Sequence, residues 1–329
     1  MSVMSLLTSP PPPAAIEISA RRVNVVALAS HGSSRTITGQ SSEPLPDGAV
    51  TPALNGPNVH DAAALADAVK TAVDRLSPRP KRAALLLPDT VAKVSLVRFD
   101  KVPPKAQDLE QLIRWQVRKA APFRIEDAQV SWVEGAVAAG GARDYLVLVA
   151  RRDIVQSYER ACDAAGVQAG IVDIVSTNQV NAVLATDASV SSGDWMLVHT
   201  APDYSTIVVV RNGRAIFFRS RPADGLPPDM GDLVHQTAMY YEDRLGGTAF
   251  SRVVLAGSSS FDPALADRGR RQIEERLGVK AEILDVRAGV TLRDRIAAGP
   301  DVLDALAPAV GVLLRDLAPT AVRGRERVA

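Results

Sequence analysis

Four histidines and one cysteine limit the chemistry open to this chain. His31, His60, His199 and His235 show no metal-ligand spacing with one another or with Cys162, so no metal site is assigned. A single thiol excludes a cysteine-based zinc site and an internal disulfide framework, and fits a reducing compartment. His199 is the most interesting of the four, because it ends the apolar strand pattern that starts at Trp195. No Ser or Cys nucleophile with an orienting acid can be placed around it, so a hydrogen-bonded polar group is expected there in preference to a general base. Cys162 falls near the apolar stripe of Tyr158, Ala161 and Ala165, a spacing that favours packing over reactivity. No catalytic residue is assigned.

Recognition is the other chemistry the residues suggest. Over 106–120, Leu109, Leu112, Ile113, Val117 and Ala120 share one helical stripe, and Trp115 projects beyond its edge. Tryptophan is enriched at binding hot spots, so Leu112, Trp115 and Arg118 form a candidate partner site. The competing reading packs Trp115 under the proline-rich flank, with Arg114, Arg118 and Lys119 on a solvated face. Arg268, Arg270 and Arg271 precede Glu274 and Glu275 by one turn, and helix-face ion pairing accounts for them without nucleic acid.

The elements that must carry these residues can be read from periodicity. With 329 residues, 47% of them hydrophobic, the chain can bury the cores of two or three domains. Lys and Arg number 38 against 37 Asp and Glu, so no overall charge draws it to nucleic acid or an acidic membrane surface. The opening residues lack a basic n-region and run into prolines, so a loose tail is expected over 1–13, and a second, charged tail over 319–329. No run of about 18 apolar residues occurs, and membrane contact is expected only through a partner.

Two β-meanders are expected, one from Ile16 and one from Trp195, the second with a hairpin turn at Asn212-Gly213. Each is followed by helix and strand. The first half continues with a helix over 61–76 and a strand over 83–87; the second has a helix from Asp232 to Leu245, a strand RVVLAG, a loop SSSFDP, a helix over 264–278 and a strand AEILD. A block at 92–168 interrupts the first half with the order strand, helix, strand, strand, helix, an α+β unit in its own right. Its last helix is expected to be capped by Asp153 and to stop before Gly166. Strand GIVDI at 170 returns the chain to the main sheet.

A duplicated α/β plan whose halves each open with a meander resembles the actin, Hsp70 and sugar-kinase group, with its ribonuclease H-like domains. An insertion in the first half is similar to that of FtsA and of the type IV pilus protein PilM. The segments at 85–103, 108–123 and 145–174, and the closing run at 304–317, resemble PilM specifically. The likeness covers most of residues 14–318. It implies an α/β, actin-like fold with a first domain at 14–91 and 169–192, against which a helix at 301–318 packs back. It further implies an inserted α+β subdomain at 92–168 and an abridged second domain at 193–300.

The resemblance also implies a function: a cytoplasmic component of type IV pilus assembly at the inner face of the inner membrane. Such a component binds the N-terminal cytoplasmic tail of a bitopic, PilN-like partner in a groove beside the inserted subdomain. A type II secretion platform is a related alternative, but such chains usually continue into a membrane span.

Family members would place ATP and Mg²⁺ between the two meanders. The positions matching that site are Glu17, Ser19, Asp203, Ser205, Thr206, Gly257 and Ser258. They depart from the pattern: Ser19 and Ala201 replace glycines, Asn24 replaces a lysine, His199 replaces a carboxylate, and Ser258 replaces the second of two glycines. The chain between Gly225 and Asp232 is also shorter than the family's second small subdomain. Phosphoryl transfer is not expected without its metal carboxylate in place. Backbone amides, hydroxyls or Asp203 can still contact phosphates, so the expectation is a scaffold with a degenerate nucleotide site. The alternative is an ATPase that uses Glu17 and Asp203 as replacement ligands.

Overall fold

The computed structural model describes residues 12–32, 34–137, 140–186, 193–223, 230–293 and 299–315. Most of both tails, and residues 224–229 within the shortened stretch, lie outside them.

Both meanders form. The first comprises β1 (Ala14–Ile18), β2 (Arg22–His31) and β3 (Ser34–Pro44), and the second β9 (Asp194–Thr200), β10 (Tyr204–Arg211) and β11 (Arg214–Pro222). Asn212 and Gly213 both take positive φ, 50° and 71°, as the tight hairpin between β10 and β11 requires. The first half adds α1 (Ala62–Asp74) and β4 (Arg82–Leu87), and later β8 (Gln168–Ile174). The second adds α5 (Met230–Leu245), β12 (Arg252–Ala256), α6 (Pro263–Leu277) and β13 (Ala281–Ile283). Strand orders β3-β2-β1-β4-β8 and β11-β10-β9-β12-β13 are therefore the same pattern built twice, and β14 (Thr291–Leu292) extends the first sheet beside β3. In each sheet the third and fourth strands pair in parallel.

Residues 92–164 contribute β5 (Ala92–Phe99), α2 (Ala106–Val117), β6 (Ala128–Val137), β7 (Arg143–Arg151) and α3 (Arg152–Ala164). The three strands form a separate sheet, ordered β5-β7-β6. Helix α2 packs Ile113 and Val117 against Tyr145, Val147 and Val149 of β7. It stops at Val117 rather than Ala120; Pro122 has no N–H to bond the Arg118 carbonyl four residues before it. Asp153 is not the cap of α3. Strand β7 runs into this helix without a loop, so Arg151 takes the cap position, and Asp153 sits in the first turn paired with the Arg151 guanidinium.

One helix in the first half had no counterpart in the sequence reading. α4 (Val175–Thr186) follows β8 directly, and every residue from Val175 to Leu184 is buried. A helix without a solvated face has no amphipathic period to find. It lies with α7 (Pro300–Leu314) between the two main sheets, where Leu86, Val180, Leu197, Val208, Leu306 and Val310 belong to one core. On the outer faces, α1 and α3 cover the first sheet, and α5 and α6 the second. No helix among the described residues is long and apolar enough to cross a membrane.

Helices α4 and α7 touch through Gly311. A Cβ there would lie 1.8 Å from the Asn178 carbonyl oxygen, which is backbone and has no room to yield. Gly311→Ala is expected to destabilise the fold by about 3 kcal/mol, the upper range for core overpacking, as read from urea unfolding midpoints.

Candidate functional site

The carboxyl ends of β1, β9 and β12 meet the first turns of α4 and α7, the region where open α/β sheets hold ligands. Here that region is closed by the chain's own polar side chains.

Asp89 is central. It follows Pro88 in a 3₁₀ turn (Asp89–Val91) after β4 and is fully buried. Its carboxylate accepts from the Ser176 amide at 2.9 Å, from the Ser176 hydroxyl, and from the Thr206 hydroxyl at 2.6 Å. Those partners sit on α4 and β10, so one side chain joins the first half to the second. Burial pushes its pKa up, and the three hydrogen bonds oppose that rise.

A second carboxylate closes the other side. Asp304 of α7 accepts from the backbone amides of Gly257 and Ser259, both at 2.8 Å, and from the Ser258 hydroxyl at 3.1 Å. Gly257 follows β12 with φ +79°, and a Cβ on it would lie 2.1 Å from the Thr200 carbonyl and 2.9 Å from the His199 ring. This is a position that needs glycine for conformation and for space.

Between the two carboxylates, His199 is buried, with Nδ1 3.0 Å from the Gln179 amide nitrogen and Nε2 3.1 Å from the Tyr204 hydroxyl. With the amide donating to Nδ1, the ring is neutral and donates from Nε2. Burial holds its pKa down at about 4, against the nearby Asp304 carboxylate, which favours the cation. A satisfied polar group is what the sequence led us to expect.

Glu17 turns its carboxyl inward beside Asn24, whose amide donates to it at 3.3 Å and whose own oxygen accepts from Ser42 at 2.7 Å. Burial pushes Glu17 up to about 7; the Asn24 hydrogen bond works against the rise, and Asp304 adds to it. Thr206, Gly257 and Ser258 are thus bonded within the cluster, and Ser205 is buried beside Thr206. Ser19 lies outside it, in the exposed β1–β2 turn, bonded to Arg22. Asp203, in the β9–β10 turn, is raised by burial and faces Arg21. Among the described residues, no group of three or more His, Cys, Asp or Glu is arranged to hold a metal ion.

Sequence reasoning missed Asp89, Ser176, Gln179, Tyr204 and Asp304. Two signals were present. Asp304 is an acid inside the apolar run Leu303–Leu314, and Ser176 to Asn181 is a polar stretch between two apolar ones.

A groove of about 80 Å³ lies beside this cluster, between the inserted sheet and the first half. Leu87, Val91, Leu148, Val172 and Ile174 make its apolar walls, with Asp173 and Arg315 as charged groups on its lining. Asp173 is raised by burial and accepts from the Ile174 amide at 2.8 Å. Trp115 is 68% exposed, so the reading that packs it under the flank does not hold. It stands on α2 with Leu112, and with Arg118 just past the helix end, across the three-stranded sheet from the groove, since Val147 and Val149 face α2 while Leu148 and Ala150 line the groove.

Comparison with known proteins adds a family to this geometry. The family model for the type IV pilus assembly protein PilM matches residues 15–226. This chain belongs to the PilM family. A solved structure described as a PilM-PilN type IV pilus biogenesis complex is similar over 95% of this chain and 99% of that one, with 16% identity and a TM-score of 0.77. A Bacteroides thetaiotaomicron protein described as having an actin-like ATPase fold and unknown function is similar over 82% of this chain and 89% of its own, with 10% identity and a TM-score of 0.51. At these identities the likenesses establish fold, and the fold of this PilM-family chain is actin-like. No curated protein matches the chain.

Glu17 carries a pH signature. Its folded pKa, about 7, lies above the ordinary 4.5, so its contribution is fully present below 4.5 and is lost as pH rises toward 7. Between urea melts at pH 4.5 and pH 8, Glu17→Gln should gain on the order of 3 kcal/mol relative to wild type. Parallel stability curves would mean that Glu17 is ionised in the fold.

Proposed function

We propose that this chain is a non-catalytic scaffold of type IV pilus assembly, working in the cytoplasm at the inner face of the inner membrane. In this reading it docks the cytoplasmic N-terminal tail of a bitopic, PilN-like protein. The observation that carries the proposal is the apolar groove between the inserted sheet and the first half. Its volume takes an apolar side chain of a segment lying across it, and Asp173, Arg315, Gln129 and Ser131 supply polar groups beside that position. A PilN-bound relative of the same fold supports the choice of partner. Trp115, beside the exposed Arg118 and with Leu112 packed beneath it on the subdomain core, is a separate anchor on the far side of the inserted sheet, suited to another component of the assembly.

ATP and Mg²⁺ do not fit the residues between the meanders. Asp304 takes up the Gly257 and Ser259 amides that a phosphate-bearing ligand would need, Thr206 is committed to Asp89, and Asn24 stands without the charge of a lysine. In place of a nucleotide, internal hydrogen bonds set the relation between the halves.

Calorimetry with a synthetic peptide of the PilN-like tail from the same organism tests the docking. Micromolar binding is expected, and Leu148→Arg in the groove wall should weaken it at least about tenfold, or 1.4 kcal/mol. No binding at high micromolar peptide would remove the proposal. Titration with ATP and Mg²⁺ should show no magnesium-dependent affinity; an affinity that is lost in Glu17→Ala would restore the ATPase reading.

A further inference from the structure

The groove and the bonds between the halves are built from the same two short segments. Along 87–92, Leu87, Val91 and Ala92 line the groove, while Asp89 between them bonds Ser176 and Thr206. Along 173–177, Asp173, Ile174 and Thr177 line the groove, while Ser176 between them meets Asp89. The turn at 89–91 is a 3₁₀ turn whose position is fixed by these bonds and by packing against β11 of the second half. Thr206 has no solvent exposure and is not part of the groove lining.

A ligand side chain pressing on Leu87, Val91 or Ile174 therefore acts on a turn whose other face holds the second half in place. Packed interiors do not deform continuously. The turn either keeps its bonds to α4 and β10 or shifts as a unit. We propose that the Asp89–Thr206 bond is a coupling clasp, through which occupancy of the groove is communicated to the second half and through which the second half sets the affinity of the groove. Thr206 is then a positioning residue for partner binding, more remote than any residue that touches the partner. This rests on the reading that the groove is the docking site.

Reciprocity gives the clasp two readouts, since whatever the second half does to groove affinity, the groove ligand does to the second half. Thr206→Val removes the donor to Asp89 with little change of shape, and Thr206→Ser keeps it. The full chain of each variant would be titrated with the tail peptide and followed by amide hydrogen exchange over β9 and β10. Thr206→Val should bind at least about fivefold more weakly, with Thr206→Ser near wild type. Peptide should slow exchange over 204–209 in wild type and fail to do so in Thr206→Val. Equal affinities, or peptide binding that leaves exchange over 204–209 unchanged, would overturn the clasp.

Should wild type bind no peptide, the docking reading fails and a second variant decides the coupling. Ser131→Phe places a ring in the groove from the inserted sheet, distant in sequence from Asp89. Altered exchange over 204–209 in Ser131→Phe, absent when combined with Thr206→Val, supports the clasp. Unaltered exchange there overturns it.

Discussion

A carboxyl group without solvent, such as Asp89, costs several kcal/mol unless its oxygens are bonded, and this requirement organises the centre of the molecule. Asp89 closes β4, and its partners lie on α4 and β10, so satisfying one side chain fixes a strand end of the first half, the start of a buried helix and a strand of the second half. Side-chain amides on α4 add further bonds around it. Asn178 donates to the Ile174 carbonyl, Gln179 meets His199, and Asn178 gives up its carbonyl face to the close approach of Gly311. Two sheets packed over two such helices leave little latitude in how the halves meet.

In this arrangement, the same place in the fold that suits a ligand is used for internal bonding. Asp304 occupies backbone amides at the end of β12, and His199 is neutral and enclosed by Gln179 and Tyr204. Glu17, with its proton held to about 7, is poorly suited to attract a divalent cation at neutral pH compared with an ordinary carboxylate. A groove lies to the side, under the inserted sheet, where apolar walls and a few polar groups face one another.

The inserted sheet also ties into the second half. Arg214 of β11 donates to the Glu134 carbonyl of β6, and β11 packs against both β5 and β6. A segment inserted into the first half in sequence therefore rests on both halves in space, and the groove it forms is bordered by elements whose positions depend on one another.

The sequence by itself determined the repeated plan. Period-two apolar runs, the Asn212-Gly213 turn and amphipathic helices such as α1 and α6 are local signals, and they were enough to place two meanders and the inserted strand-helix-strand-strand-helix unit; the likeness of the segments at 85–103, 108–123 and 145–174 to PilM is a separate resemblance, which the family match bears out. Tertiary structure decided the rest. α4 was illegible because burial on every side removes the periodicity by which a helix is recognised. The central bonds were illegible because they join residues 87 and 117 positions apart, and nothing in a strand-ending Pro88-Asp89 says which hydroxyl it will meet. Trp115 was visible as an aromatic beyond its stripe, but only packing could show it exposed and set it on the opposite face of the sheet from the groove. Local periodicity determines which face of each element is apolar; which faces meet, and which polar groups must then bond one another, is settled only when they are packed.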